Sequence, residues 1–204
     1  MWIIDNGIGV FRKIKDTFGL ANEQEAILEL SKGKLTTNKA KHSGEGIFFT
    51  SRAFDVFFIE SHGIAFTHNK ETEHDVLFTN YDDINGTWIG MQLRNDSKRN
   101  LADVFNKFSG DDYGFDKTII PIELARYGDE NLISRSQAKR VMARVNLFKN
   151  VILDFKNVPQ IGQAFADEIF RVFANEHPDI ELAYINADTD VENMIKRAKS
   201  VRLD

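Results

Sequence analysis

At 204 residues, with 42% hydrophobic and 28% charged side chains, the chain can bury a core and suits one large domain or two small ones. A formal net charge of -5 argues against a broad nucleic-acid surface, and the absence of cysteine excludes disulfides, thiolate catalysis and cysteine-bound zinc. No apolar run approaches the length of a membrane span and no basic-then-apolar leader opens the sequence, so the expectation is a cytoplasmic protein without nucleic-acid or membrane partners.

The first predicted element is Trp2-Ile3-Ile4-Asp5, read as a buried strand because β-branched and aromatic residues favour that setting. It passes into Asn6-Gly7-Ile8-Gly9, where glycines permit a sharp turn or the close approach of a ligand. A carboxylate ending a buried strand can accept a hydrogen bond from an exocyclic amine such as that of adenine. Asp5-x-Gly7-x-Gly9 therefore admits a nucleotide reading beside a plain strand-to-turn reading. Helical spacing follows, with Val10, Phe11, Ile14 and Phe18 on one face and Gly19 as a C-cap. Asn22 caps a second helix, with Glu25 three residues on and Ala26, Ile27 and Leu30 on its apolar side.

Residues 31–43 are basic and hydroxyl-rich and read as a mobile loop, either a solvated surface loop or a lid over phosphates. Ser43-Gly44-Glu45-Gly46 then opens a helix through Phe54, and a glycine-flanked helix start presents free N–H groups suited to an anion. Strands are predicted over 55–61, 64–68, 75–79 and 87–94, with loops at Ser61-His62-Gly63 and Asp82-Asp83-Ile84-Asn85-Gly86; their tight spacing suggests an antiparallel meander. Leu101 to Phe108 is an amphipathic helix, and Ser109-Gly110-Asp111-Asp112-Tyr113-Gly114 is the best linker, placing domains at 1–110 and 111–204.

Beyond the linker the rhythm becomes strand, helix, strand, helix. Ile119 to Ala125 is a strand whose Pro121 indicates an edge or a bulge. Ser134-Arg135-Ser136-Gln137 is a capping box, and Ala138, Val141, Met142 and Val145 form the apolar face behind it. Val151 to Phe155 reads as a strand of the buried parallel type. A helix over 162–175 aligns Phe165, Ile169, Val172 and Phe173; a strand over 180–185 and a helix from Thr189 complete the chain. Such alternation implies crossovers over a mostly parallel sheet. The five histidines show no metal-ligand spacing beyond a loose His68 and His74, no Gly-x-Ser-x-Gly elbow is present, and Asp167-Glu168 reads as a solvated face. No catalytic residue and no metal ligand is assigned.

Two resemblances emerge. Asp5-Asn6-Gly7-Ile8-Gly9 resembles the first glycine box of the GHKL (histidine kinase-like) ATPases, and Ser43-Gly44-Glu45-Gly46-Ile47-Phe48 resembles the second, at the end of the ATP lid. Gly86-Thr87-Trp88-Ile89 is similar to a late Gly-Thr strand that reaches the adenine pocket. Over residues 1–95 the resemblance implies an α+β module, a partial GHKL or Bergerat-type α/β sandwich, that binds ATP with magnesium. Asp5 would meet the adenine amine with support from Thr87; Gly7, Gly9, Ser43, Gly44 and Gly46 would line the phosphates; Lys32 and Lys34 would come from the lid. The family carries a helix before its first glycine box, bearing an Asn for magnesium and often a Glu that activates water. The sequence here opens at the strand, so the expectation is an N-terminally truncated module, catalytic as an ATPase or kinase only if that helix is supplied. A sheet edge left open in this way would be covered by a protein partner or a homodimer.

Residues from about 112 to 204 resemble a STAS-like family of unknown function, through Ile133-Ser134-Arg135-Ser136-Gln137-Ala138, Val151-Ile152-Leu153-Asp154-Phe155 and residues 161–168. In anti-sigma antagonists the turn after the central strand holds a phosphorylated serine; here it reads Gly162-Gln163-Ala164. The expected whole is an intracellular regulatory protein pairing a nucleotide module with a STAS-like interaction module. The alternative is a non-catalytic interaction protein with a degenerate site that no longer binds ATP.

Overall fold

The computed structural model describes residues 1–38, 40–72, 74–79, 84–110, 114–128 and 130–200; Lys39, Asp82, Asp83 and the linker residues Asp111, Asp112 and Tyr113 lie outside them. The chain divides into two compact units, Met1–Lys107 and Phe108–Asp204. Each has its own sheet.

In the first unit α1 (Val10–Phe18) buries Phe11 and Ile14 and stops at Gly19, whose φ of 64° closes the helix in the left-handed conformation. At the start of α2 (Glu23–Lys32) Asn22 Oδ1 accepts the Glu25 amide at 3.0 Å, and Glu25 Oε2 accepts the Ala21 amide at 2.8 Å. The helix is buried without interruption from Ala26 to Lys32, not along one stripe. Behind it, α3 (Gly46–Ala53) packs on two strands of the sheet.

The five strands are β1 (Trp2–Asp5), β2 (Val56–Ser61), β3 (Ile64–Asn69), β4 (His74–Thr79) and β5 (Thr87–Gln92), all antiparallel. His62 (φ 50°) and Gly63 (φ 72°) make the β2–β3 turn, the consecutive positive φ values that a tight hairpin needs. The expected meander holds only for β2, β3 and β4. The sheet order is β1-β5-β2-β3-β4, so β5 leaves β4 and inserts between β1 and β2. Phe57, Ile59 and Phe66 supply its buried face.

The expectation of a buried β1 is overturned. Trp2, Ile3 and Ile4 are 67%, 51% and 55% exposed, because β1 is an edge strand with β5 on one side. The unit ends at Lys107 within α4 (Leu101–Phe108), where Phe105 stacks on Phe49 with ring centroids 4.5 Å apart.

The second unit has a parallel sheet, β6 (Lys117–Pro121), β7 (Asn150–Asp154) and β8 (Glu181–Ile185), in that order. Pro121 closes the edge strand β6, and the chain continues as a 3-10 turn over Ile122–Ala125 where strand had been expected. In β7, Val151 and Leu153 are fully buried while Ile152 between them is half-buried, so one face carries the core. The capping box forms as read: Ser134 Oγ accepts the Gln137 amide and Gln137 Oε1 accepts the Ser134 amide, opening α5 (Arg135–Met142).

The helix expected over 162–175 is α6 (Gln163–Asp167), a π-helical stretch over Glu168–Phe173 and a last turn α7 (Ala174–Glu176). The wider π turn shifts the register, so Phe165, Ile169 and Phe170 are buried while Val172 and Phe173 are only half-covered. Phe170 meets Phe155 and Tyr184 at ring distances of 6.4 and 5.9 Å. The closing helix α8 (Thr189–Ser200) buries Val191, Ile195 and Ala198. No helix among the described residues is long and apolar enough to cross a membrane.

Candidate functional site

Asp5 and Thr87 lie opposite each other in the β1–β5 ladder, so the strand ends bring together the two residues read as an adenine contact and its support. Asp5 Oδ1 accepts the Gly7 amide at 2.7 Å and so closes the turn after the strand, while the side chain stays exposed. Thr87 Oγ1 accepts the Val10 amide at 3.0 Å and caps α1 from outside.

Gly9, at φ 85°, is the N-cap of that helix. A Cβ there would lie 2.3 Å from Ser61 Oγ and 2.6 Å from the His62 ring. The His62 ring nitrogen Nε2 bonds Ile8 O at 3.0 Å, and Ser61 Oγ donates to Gly86 O at 2.7 Å. A Cβ on Gly86, at φ 84°, would lie 2.1 Å from the Asp5 carbonyl oxygen. These glycines are thus demanded by close packing of the chain on itself. His62, one of five histidines without metal-ligand spacing in the sequence, stands in the β2–β3 turn at φ 50°, with its ring against Gly9.

The second glycine stretch has a different neighbourhood. Gly44, at φ 81°, presses on the backbone of Lys34 and Leu35, a Cβ lying 2.6 Å from Leu35 N, and the Leu35 amide donates to Gly44 O at 3.2 Å. Leu35 is buried, which pins a loop that its basic, hydroxyl-rich composition reads as mobile. Ser43 is exposed, Lys34 half-buried, and Gly46 opens α3 with nothing within 4 Å of a Cβ. Lys32 is not a lid residue: it is the last residue of α2, 1% exposed, with Nζ bonded to the Glu29 carboxylate. Burial of that ammonium requires its anion close by.

A further buried cluster carried no signal in the sequence. Arg52 in α3 donates to Asp75 Oδ2 at 3.0 Å and to Ser51 Oγ at 2.9 Å, and its guanidinium lies 3.9 Å from the Phe48 ring centre. His68 Nδ1 bonds the other Asp75 oxygen at 2.7 Å. Burial lowers the Arg52 pKa, and the Asp75 charge opposes that shift. The cluster ties α3 to β3 and β4.

In the second unit the carboxyl ends of the parallel strands carry polar clasps. Asp154 Oδ1 accepts the Lys156 amide at 3.0 Å and Asn186 Nδ2 at 2.8 Å, and Asn157 Nδ2 donates to Glu123 Oε2 at 3.0 Å. Gly162 sits under the passing chain, where a Cβ would lie 2.7 Å from Ile133 Cα, and its amide donates to Leu132 O at 2.8 Å. Beyond this crossing Gln163 and Ala164 are exposed, and Ile133 is 60% exposed. Asp167 does not face solvent freely: Arg171 first and Arg135 second hold its carboxyl below the usual range. Among the described residues no group of three or more His, Cys, Asp or Glu could hold a metal ion.

Residues 137–192 match the model of a STAS-like domain of unknown function (DUF4325). The match starts within α5, takes in β7, the π-helical stretch and β8, and ends in α8. No curated protein and no solved structure matches the chain. The likeness of residues 1–95 to GHKL ATPases has no support in these comparisons.

Proposed function

We propose that this chain is a regulatory interaction protein that docks other proteins through its STAS-like unit. What supports the reading is the surface at the α6 start, where Ile133, Gln163 and Ala164 stand exposed at the carboxyl end of a parallel sheet. Partners and ligands gather at that end of such sheets. Val158 to Ala164, the approach to α6, carry no hydroxyl and no cation, so a contact surface fits them better than a reaction centre. The full chain with a photo-crosslinking residue at Gln163 tests this. Capture of a defined protein that is lost in Ile133→Asp supports the reading, and capture unchanged by that substitution overturns it.

A second reading, ATP bound with magnesium, is favoured by the Asp5–Thr87 pairing alone. It would use Asp5, Gly7, Gly9 and Thr87, with Lys34, Ser43, Gly44 and Gly46 as phosphate neighbours and without Lys32. Calorimetric titration of ATP, with and without magnesium, tests it: heat abolished by Asp5→Ala supports it, and no heat with no thermal shift removes it.

A further inference from the structure

The surface around the α6 start has a charge as well as a shape. Between Glu130 and Asp154 the sequence holds no Asp or Glu, yet it holds Arg135, Lys139, Arg140, Arg144 and Lys149, in a chain whose net charge is -5. Val158 to Ala164 carry no charge at all. The two segments meet where Gly162 lies under Ile133, so the exposed Ile133, Gln163 and Ala164 stand beside the start of α5. Arg140 and Lys149 are drawn to Glu130 and Asp116. Arg135 and Lys139 remain at this surface, one helical turn apart on the same side of α5.

Here the cations stand out and the carboxylates lie sunk. The side chains of Arg135 and Lys139 are 62% and 71% exposed, those of Asp167 and Glu168 only 14% and 11%. Asp167 is held first by Arg171, whose Nη2 donates to it at 2.7 Å, while Arg135 Nη2 reaches it at 3.4 Å. Glu168 is shared between Arg135 Nε at 3.8 Å and Lys139 Nζ at 3.6 Å. Both distances exceed a hydrogen bond, so these donors stay available to an incoming acceptor. An approaching chain therefore meets a guanidinium, an ammonium and the Ile133 side chain before either carboxylate. Such an arrangement attracts Asp and Glu of a partner and repels Lys and Arg, which selects partners more than it adds affinity. Two cations around one aliphatic contact offer a nucleic acid neither an extended basic groove nor a stacking platform.

We infer that this surface takes an acidic peptide segment, in which an apolar residue packs on Ile133 and flanking Asp or Glu side chains pair with Arg135 and Lys139. It rests on the docking reading above and adds the chemistry of the partner.

The experiment uses the full chain with a photo-crosslinking residue at Gln163 and a random peptide library as probe. Peptides selected by crosslinking should be enriched in Asp and Glu around one apolar residue. A labelled peptide of that kind should bind about tenfold more weakly to the double variant Arg135→Gln with Lys139→Gln, checked for folding by circular dichroism. Its affinity for the wild type should fall several-fold between about 50 and 300 mM salt, because exposed charges are screened over that range. Exchanging its acids for Asn and Gln should weaken binding to the wild type by a similar factor and leave the double variant nearly unaffected. Crosslinked peptides that are neutral or basic, or an affinity indifferent to both salt and the double substitution, would overturn the acidic partner while docking at this surface stands. A single-stranded oligonucleotide bound more tightly than any selected peptide would overturn it too. No peptide crosslinked at Gln163, or crosslinking unchanged by Ile133→Asp, would remove the docking reading and this inference together.

Discussion

Asp5 stands opposite Thr87 across the β1–β5 ladder, and Thr87 Oγ1 receives the Val10 amide that begins α1. One strand pairing thereby fixes the turn, the helix start and the position of the carboxylate. The glycines around it serve the same packing, which makes their roles separable by substitution.

Gly9→Ala should destabilise the fold by about 2 kcal/mol or more, since it combines a left-handed φ with a clash against Ser61 and His62. Gly46→Ala should be neutral or stabilising by up to about 1 kcal/mol, because it fills open space at a helical position. Denaturant unfolding of both variants checks the contrast; equal losses would contradict it.

Lys32→Met leaves the Glu29 carboxylate buried without its ammonium and should cost about 3–5 kcal/mol. The double variant Glu29→Leu with Lys32→Met should recover much of that loss. Urea titration of the double variant and of both single variants, Glu29→Leu and Lys32→Met, measures it. A double variant as unstable as the sum of the singles would show that the two charges act independently.

Asp55 accepts the Arg94 amide at 2.8 Å and the Ser97 hydroxyl at 2.9 Å, and these bonds, the Arg94 amide foremost, hold its carboxyl below the ordinary range. A depressed folded pKa gives stability that is complete above the unfolded value near 4 and is lost as pH falls through the folded value. Melting temperature followed from about pH 7 to pH 3 should therefore fall more steeply at the acid end in the wild type than in Asp55→Asn. Parallel curves would remove Asp55 from the acid response.

Ser134→Ala deletes the side chain that receives the Gln137 amide and should cost about 1 kcal/mol, read by thermal unfolding. Ser134→Asp should retain most of the stability, since its carboxylate can accept the same amide. A loss as large as that of the alanine variant would argue that the hydroxyl acts through something other than the cap.

Sequence alone determined what a few neighbouring residues decide. The Asn22 and Ser134 caps, the Gly19 stop, the β2–β3 hairpin and the alternation of strand and helix from Thr118 on are local signals, and each appears as read. The juxtaposition of Asp5 and Thr87 was also legible, though through a resemblance and not through spacing. Tertiary structure decided the rest, because burial and pairing depend on segments far apart in the chain. The run Trp2-Ile3-Ile4 has the composition of a buried strand, yet its exposure follows from β5 crossing back to its side and leaving it at the edge. Lys32 has the composition of a loop cation, yet a carboxylate one turn earlier, at Glu29, allows it to end a helix packed on every side. One π turn exchanged Phe173 for Phe170 in the core, a shift of register that apolar periodicity at 3.6 residues per turn does not encode.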